Sequence, residues 1–295
     1  CLSSVNLEYY DEWKNVPAFI PDLVRMLDNV LQHFIDHAPN EMERAKYSAS
    51  RERSIGLGAM GYHAYLQRNN IAFESMFASG SNYQMFKHIK DHALQETRKL
   101  AVERGACPDD DTCEVRNAHL LAIAPNASSS IICGNTSPSI EPFRANAFTQ
   151  KTKSGSFLQK NKYLEKLLES KGANTETVWK DIITNKGSVQ HLDVLTSEEK
   201  EVFNNTWNSI VKNKEICQHL EFLRNKKKEV FKTAVEINQS WVIEHAAQRQ
   251  EFICQSQSVN LFFPPDVNKA DLHNIHMLAW AKNLKTLYYL RSEAI

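Results

Sequence analysis

The stretch Leu120-Leu121-Ala122-Ile123-Ala124-Pro125-Asn126-Ala127-Ser128-Ser129-Ser130 constrains the fold more than any other. Its first five residues are apolar and form a run of strand length, bounded by a proline. Pro125 ends such a strand, because its ring leaves no N–H for a neighbouring chain. Asn126 and Ser128 are helix-capping residue types, so a helical turn can open behind the proline with its first N–H groups unpaired. A strand that hands small hydroxyl residues to a helix N-terminus suits a phosphate. Free N–H groups and the helix dipole favour an anion, and small side chains let it come close. An ordinary capped strand-to-helix turn has the same residues, and this stretch alone leaves both readings open.

The remaining features narrow the class. A chain of 295 residues is long enough for one large domain or two ordinary ones. Hydrophobic residues at 42% and charged residues at 24% are a globular balance. Lys+Arg and Asp+Glu both number 35, so bulk charge points to neither nucleic acid nor a membrane. No apolar run approaches the ~20 residues of a membrane span, and no signal peptide is evident, so a cytoplasmic protein is expected. Cys1, Cys107, Cys113, Cys133, Cys217 and Cys254 lack metal-ligand spacing and form no disulfide scaffold in so long a chain. The start at Cys1, inside what reads as a strand, suggests a processed product or one piece of a longer fold.

Along the chain, Pro21-Asp22 opens an amphipathic helix with Leu23, Leu27, Val30, Leu31, Phe34 and Ile35 on one stripe, and Pro39 stops it. Gly56, Gly58 and Gly61 spell the dinucleotide fingerprint, but the residues before them are charged and no strand–helix–strand unit surrounds them. Close helix packing through small residues is the better account. A helical pattern runs from about Phe73 to Arg104, and the Asp109–Asp111 run lacks calcium-loop spacing and reads as a solvated turn. Residues 151–235 read as polar and helical.

Within them Trp179–Phe203 repeats as Trp207–Phe231 at an offset of 28, with Gln190-His191-Leu192 matching Gln218-His219-Leu220. Two copies are too few for a solenoid, and a duplicated helical insert at about 179–231 explains them. Thr196 and Glu199 form a capping box that the second copy replaces with Arg224 and Lys227, so the duplicate should be the looser. A long helix is expected from Val230 to about Phe252, a strand over 258–263, a helix from Asp271 to about Asn283, and a last strand over 285–290. Strands alternating with helices favour an α/β fold with a largely parallel sheet.

Five motifs then occur in order: Cys1-Leu-Ser-Ser-Val-Asn-Leu, Arg53-Ser-Ile-Gly-Leu-Gly, Pro125-Asn-Ala-Ser-Ser-Ser with Ser139-Ile-Glu-Pro, Gln255-Ser-Gln-Ser-Val-Asn-Leu, and Thr286-Leu-Tyr-Tyr. Together they resemble the carboxy-terminal half of the large (alpha) subunit of class I ribonucleotide reductase. The resemblance implies part of a ten-stranded α/β barrel with a helical insert, incomplete without its upstream half. It implies that Cys1 is one member of the redox cysteine pair. Pro125, Asn126, Ala127, Ser128 and Ser129 would hold the substrate diphosphate, and Tyr288 and Tyr289 would relay a radical.

Adjacent residues on a regular strand face opposite ways, so two stacked tyrosines require the chain to leave regular geometry there. The family's radical-forming cysteine, its nearby Asn and Glu, the second redox cysteine and the tail cysteines match no position in this chain. No activity is therefore expected from it alone, and it should bind no cofactor of its own. The implied partners are the upstream half, a radical-generating small (beta) subunit carrying the metal, a ribonucleoside diphosphate, and a thioredoxin- or glutaredoxin-type dithiol reductant. A cobalamin-dependent reductase of the same barrel, or a non-catalytic assembly module of a split protein, are the alternatives.

Overall fold

In the computed structural model, which describes residues 1–152, 155–195 and 226–292, β1 (Leu2–Asn6) runs parallel to β2 (Gly56–Met60), with Leu2 opposite Gly56 and Asn6 opposite Met60. Between them lie α1 (Tyr10–Trp13), α2 (Phe19–His37) and α3 (Glu43–Glu52). After β2 come α4 (Tyr62–Arg68) and the long α5 (Met76–Arg104). The apolar run at 120–123 then joins β2 through a parallel bridge from Leu57 to Leu121, and Ile123 bridges onward to Gln257, again parallel. Past α6 (Ala127–Ile132) the chain forms a hairpin of β3 (Ala147–Thr152) and β4 (Gly155–Lys160), followed by α7 (Lys162–Ser170), α8 (Glu176–Thr184), α9 (Lys226–Val230) and α10 (Gln239–Gln250). Finally β5 (Leu261–Phe263) pairs in parallel with β6 (Leu290–Ser292) across α11 (Lys269–Ala281).

The parallel stretches follow one another in chain order: β1, β2, 120–123, 255–263 and β6. A doubly wound sheet reverses order at its middle, whereas here each strand is added beside the last, the winding of an α/β barrel. All belong to one compact unit, comprising Cys1–Tyr65, Ser79–Glu141 and Gln239–Ile295. The second unit, Leu66–Ala78 with Pro142–Asn238, has its own core of Leu164, Leu168, Trp179, Ile182, Val189 and Val230.

In the first unit α2 buries Ile20, Val24, Leu27 and Leu31 on its apolar stripe, while Val30, expected on that stripe, is half exposed. Fully burying one such aliphatic side chain stabilises by about 1.5–3 kcal/mol. Asp28 sits on the same face with no exposed surface. Burial would push its carboxyl up, but hydrogen bonds and charge from Arg53, Arg104 and Arg116 hold it below the usual range. Arg53 Nη2 lies 2.8 Å and Arg104 Nη1 2.9 Å from the two carboxylate oxygens, which ties α2 to the entrance of β2 and the end of α5.

Several expectations change on contact with the structure. The Gly56-x-Gly58 segment is a strand rather than a helix-packing surface, because it is buried throughout and its glycines are needed between strands. Residues 155–160, inside the stretch expected to be helical, form a strand instead, paired antiparallel with 147–152 so that Thr149 lies opposite Leu158 and Phe148 opposite Gln159. The helix expected from Val230 to Phe252 is broken between α9 and α10, where Thr233 turns its N–H onto the Glu236 carboxylate at 2.8 Å. The Asp run is the solvated turn expected, ordered around Asp110, whose carboxylate accepts from the N–H groups of Thr112, Glu114 and Val115. The capping box at Thr196 and Glu199, and most of the second repeat copy, lie outside the described residues.

Candidate functional site

At the carboxyl end of the 120–123 stretch, Pro125 releases the chain and Asn126 takes a left-handed conformation, φ 52. Asparagine tolerates this backbone better than most residues. The expected side-chain cap of α6 is not made. Instead the Asn126 amide donates to Ser4 Oγ at 2.9 Å and to the carbonyls of Ala59 and Ala124 at 3.2 Å each. Three consecutive parallel stretches are thus tied together by one side chain. Ala127, Ser128 and Ser129 are exposed, and as the first residues of α6 their N–H groups have no intrahelical partner.

Gly58 makes this clamp possible. It lies opposite Ser4, and a Cβ there would sit 2.5 Å from the Ala122 carbonyl oxygen and 3.1 Å from Ser4 Oγ. Gly61, at φ 80, leaves the space in which a Cβ would meet Asn6 Oδ1 at 2.3 Å. Gly56, Gly58 and Gly61 thus stand where neighbouring atoms leave no room for a side chain.

Cys1 is exposed and precedes β1, and its carbonyl accepts the Gly56 N–H at 2.8 Å. It stands three residues before Ser4, about 10 Å along an extended strand. By alternation Cys1 belongs with Ser3 and Val5 on one face, and Ser4 with Leu2 and Asn6 on the other.

Tyr288 and Tyr289 are each half exposed, with ring centroids 4.2 Å apart and planes inclined at 53°. The neighbouring Tyr289 hydroxyl raises the Tyr288 pKa above its ordinary value. Arg291 places its guanidinium 4.9 Å from the Tyr289 ring centre. Two aromatics packed into a core would be buried; these are not. The pair lies before β6, where regular pairing has not begun.

The sequence reading missed the supports of both features. Ser4 and Gly58 are unremarkable among small residues until the register pairs them. Asn260 and Glu141 are buried and hydrogen-bonded to each other, and Asn260 Oδ1 accepts the Tyr289 N–H at 3.0 Å. Both lie within motifs that carried the family resemblance, and that was the signal available. Among the described residues no group of His, Cys, Asp and Glu is arranged to hold a metal, and no helix is long and apolar enough to cross a membrane.

The ribonucleotide reductase barrel-domain model matches residues 1–114, 112–216 and 205–290. This chain belongs to the ribonucleotide reductase barrel-domain family. Among curated relatives it is 48% identical, over its whole length, to the ribonucleoside-diphosphate reductase large subunit of Invertebrate iridescent virus 6, covering 28% of that protein. It is 46% identical to the corresponding large subunit of Invertebrate iridescent virus 3, covering 43% of it, and 45% identical to a putative one of Frog virus 3, covering 47%. The chain therefore spans less than half the length of these relatives. Among solved structures it is similar to the class Id ribonucleotide reductase alpha subunit of Actinobacillus ureae, with a TM-score of 0.83 and 39% identity, covering all of this chain and 49% of that one.

Proposed function

We propose that this chain works as the carboxy-terminal half of the catalytic barrel of a class I ribonucleoside-diphosphate reductase large subunit, reducing ribonucleotides to deoxyribonucleotides. The observation that carries the reading is the Ser4–Asn126 clamp. It fixes the exposed Ala127–Ser129 turn at the carboxyl end of the parallel array, on the strand system that also carries Cys1. In this reading the five parallel stretches are half of a ten-stranded barrel, and the upstream half supplies the rest. The second unit carries the duplicated insert.

Pro125 through Ser129 hold the diphosphate, and Cys1 lies about 10 Å from Ser4 along the same strand. In the reduction the 2′ C–O bond is replaced by C–H and the hydroxyl leaves as water. Two thiols supply the electron pair and end as a disulfide, which an external dithiol of the thioredoxin or glutaredoxin type reduces by exchange. Cys1 is one of these thiols, and its partner belongs to the upstream half. Tyr288 and Tyr289 pass the oxidising equivalent from the metal-bearing small subunit. A phenol that loses its electron and proton together leaves no charge behind, which a low-dielectric interface favours.

The test mixes this chain with the upstream half, the small subunit and a dithiol, and assays reduction of cytidine diphosphate. Turnover is expected in the mixture and in no component alone. Cys1→Ser, Tyr288→Phe and Tyr289→Phe should each abolish it, with diphosphate affinity unchanged in the tyrosine variants. A mixture without turnover removes the reading, and turnover in either phenylalanine variant points to the cobalamin-dependent class.

A further inference from the structure

The pairing between β5 and β6 sets a register that the tyrosines break. Leu261 lies opposite Leu290, and the Leu261 N–H reaches the Tyr289 carbonyl at 2.9 Å. Continued regularly, that register would send the Tyr289 N–H to the carbonyl of Val259. The Val259 carbonyl accepts instead from Tyr288, at 2.9 Å. One extra residue has been admitted on the tyrosine strand, which is a β-bulge, and the displaced Tyr289 N–H is left over. A bulge suspends alternation, so two neighbouring side chains can lie on one side.

The orphaned N–H is taken by a side chain. Asn260 Oδ1 accepts it at 3.0 Å, while Asn260 Nδ2 donates to the Glu141 carboxylate. Asn260 is 1% exposed and Glu141 5%. Glu141 is delivered there by a turn in which Ser139 holds φ 50 and the Glu141 N–H folds back on the Pro138 carbonyl at 3.0 Å. A left-handed non-glycine residue is strained, and such strain persists where the surroundings demand it. An amide that must accept with its oxygen and donate with its nitrogen is locked in one orientation by the carboxylate, which only accepts.

We infer that Asn260 and Glu141 are positioning residues for the Tyr288–Tyr289 pair: Glu141 orients the Asn260 amide, and the amide holds open the bulge that places both rings together. This rests on the relay reading of the tyrosines above but concerns their geometry, which can be read without turnover.

The test uses the full chain with selectively labelled tyrosine, recording ring-to-ring nuclear Overhauser effects between Tyr288 and Tyr289 and hydrogen exchange at the Tyr289 amide. Asn260→Ala should abolish the ring contact and raise Tyr289 amide exchange at least tenfold. Glu141→Gln keeps an acceptor and should retain the contact. Asn260→Asp alone sets two carboxylates against each other and should lose both signals, and adding Glu141→Gln supplies the donor from the other side and should restore them. In the reconstituted enzyme Asn260→Ala should lower kcat at least tenfold with KM for cytidine diphosphate unchanged, and the double variant should recover it.

An Asn260→Ala protein that keeps the ring contact overturns the inference. So does a folded double variant that fails to restore it; this arm stands even if the alanine variant does not fold. Turnover in Tyr288→Phe would sink the relay and leave the ring geometry as measured, so the two failures are distinguishable.

Discussion

Gly58 is where a single missing methyl group does most. Its Cα faces Ser4 across β1 and the Ala122 carbonyl across the third stretch, and the Asn126 amide reaches over it to Ser4 Oγ. The obstacle a side chain would meet is a backbone carbonyl in a paired strand, which cannot rotate away. Gly58→Ala should therefore cost about 1–3 kcal/mol, the usual range for overpacking a filled interior. A urea midpoint measurement checks this, and the same variant should weaken diphosphate binding by loosening Asn126. At Gly134, by contrast, a Cβ would meet nothing within 4 Å even though φ is 84; the demand there is for backbone freedom alone.

At the level of elements, α10 is held through a buried polar network. Arg249 lies within it at 1% exposure, donating through Nε to Gln257 at 2.7 Å and through Nη1 to Asn82 of α5 at 3.1 Å. Asn82 in turn donates to the His245 carbonyl at 3.0 Å, so one helix, its partner helix and the fourth parallel stretch share the same hydrogen bonds. Burial, with the charge of Arg249 beside it, pushes His245 down to about 3 from 6.5. The neutral ring is the folded form, whereas the unfolded chain takes up a proton below about 6.5. Stability attributable to His245 is thus complete above that value and lost as pH falls toward about 3, at about 1.4 kcal/mol per pH unit through the window. Denaturant midpoints recorded between pH 7.5 and 4.5 should fall more steeply, by about that slope, for the native chain than for His245→Gln.

For the whole molecule the governing fact is the order of the parallel stretches. They are laid down in chain order, and among the described residues no strand pairs with the outer edge of β1 or of β6. Leu2, on the first of these edges, is 66% exposed, and Leu290, on the other, 46%. Open parallel edges with apolar side chains recruit other strands. The isolated chain should therefore self-associate at micromolar concentration, and in the proposed reading adding the upstream half should convert it to a defined one-to-one complex. Size-exclusion chromatography with light scattering reads both; a stable monomer of the chain alone would contradict the half-barrel arrangement.

Much of this was legible in the residues because it is local. Pro125 ends its strand, the α2 periodicity makes a helix, and Pro39 stops it, each from forces acting within a few positions. The five ordered motifs carried the family. What the sequence could not contain was register. Whether Gly58 faces Ser4, and whether Val259 meets Tyr288 or Tyr289, depends on how strands far apart in the chain slide past one another, and a shift of one residue reverses every face. The amino-acid order by itself determined the winding elements and the chemistry they could carry. Only the tertiary pairing turned Asn126 from a helix cap into a clamp and put two neighbouring tyrosines on one side, because both depend on which distant backbone group is left without a partner.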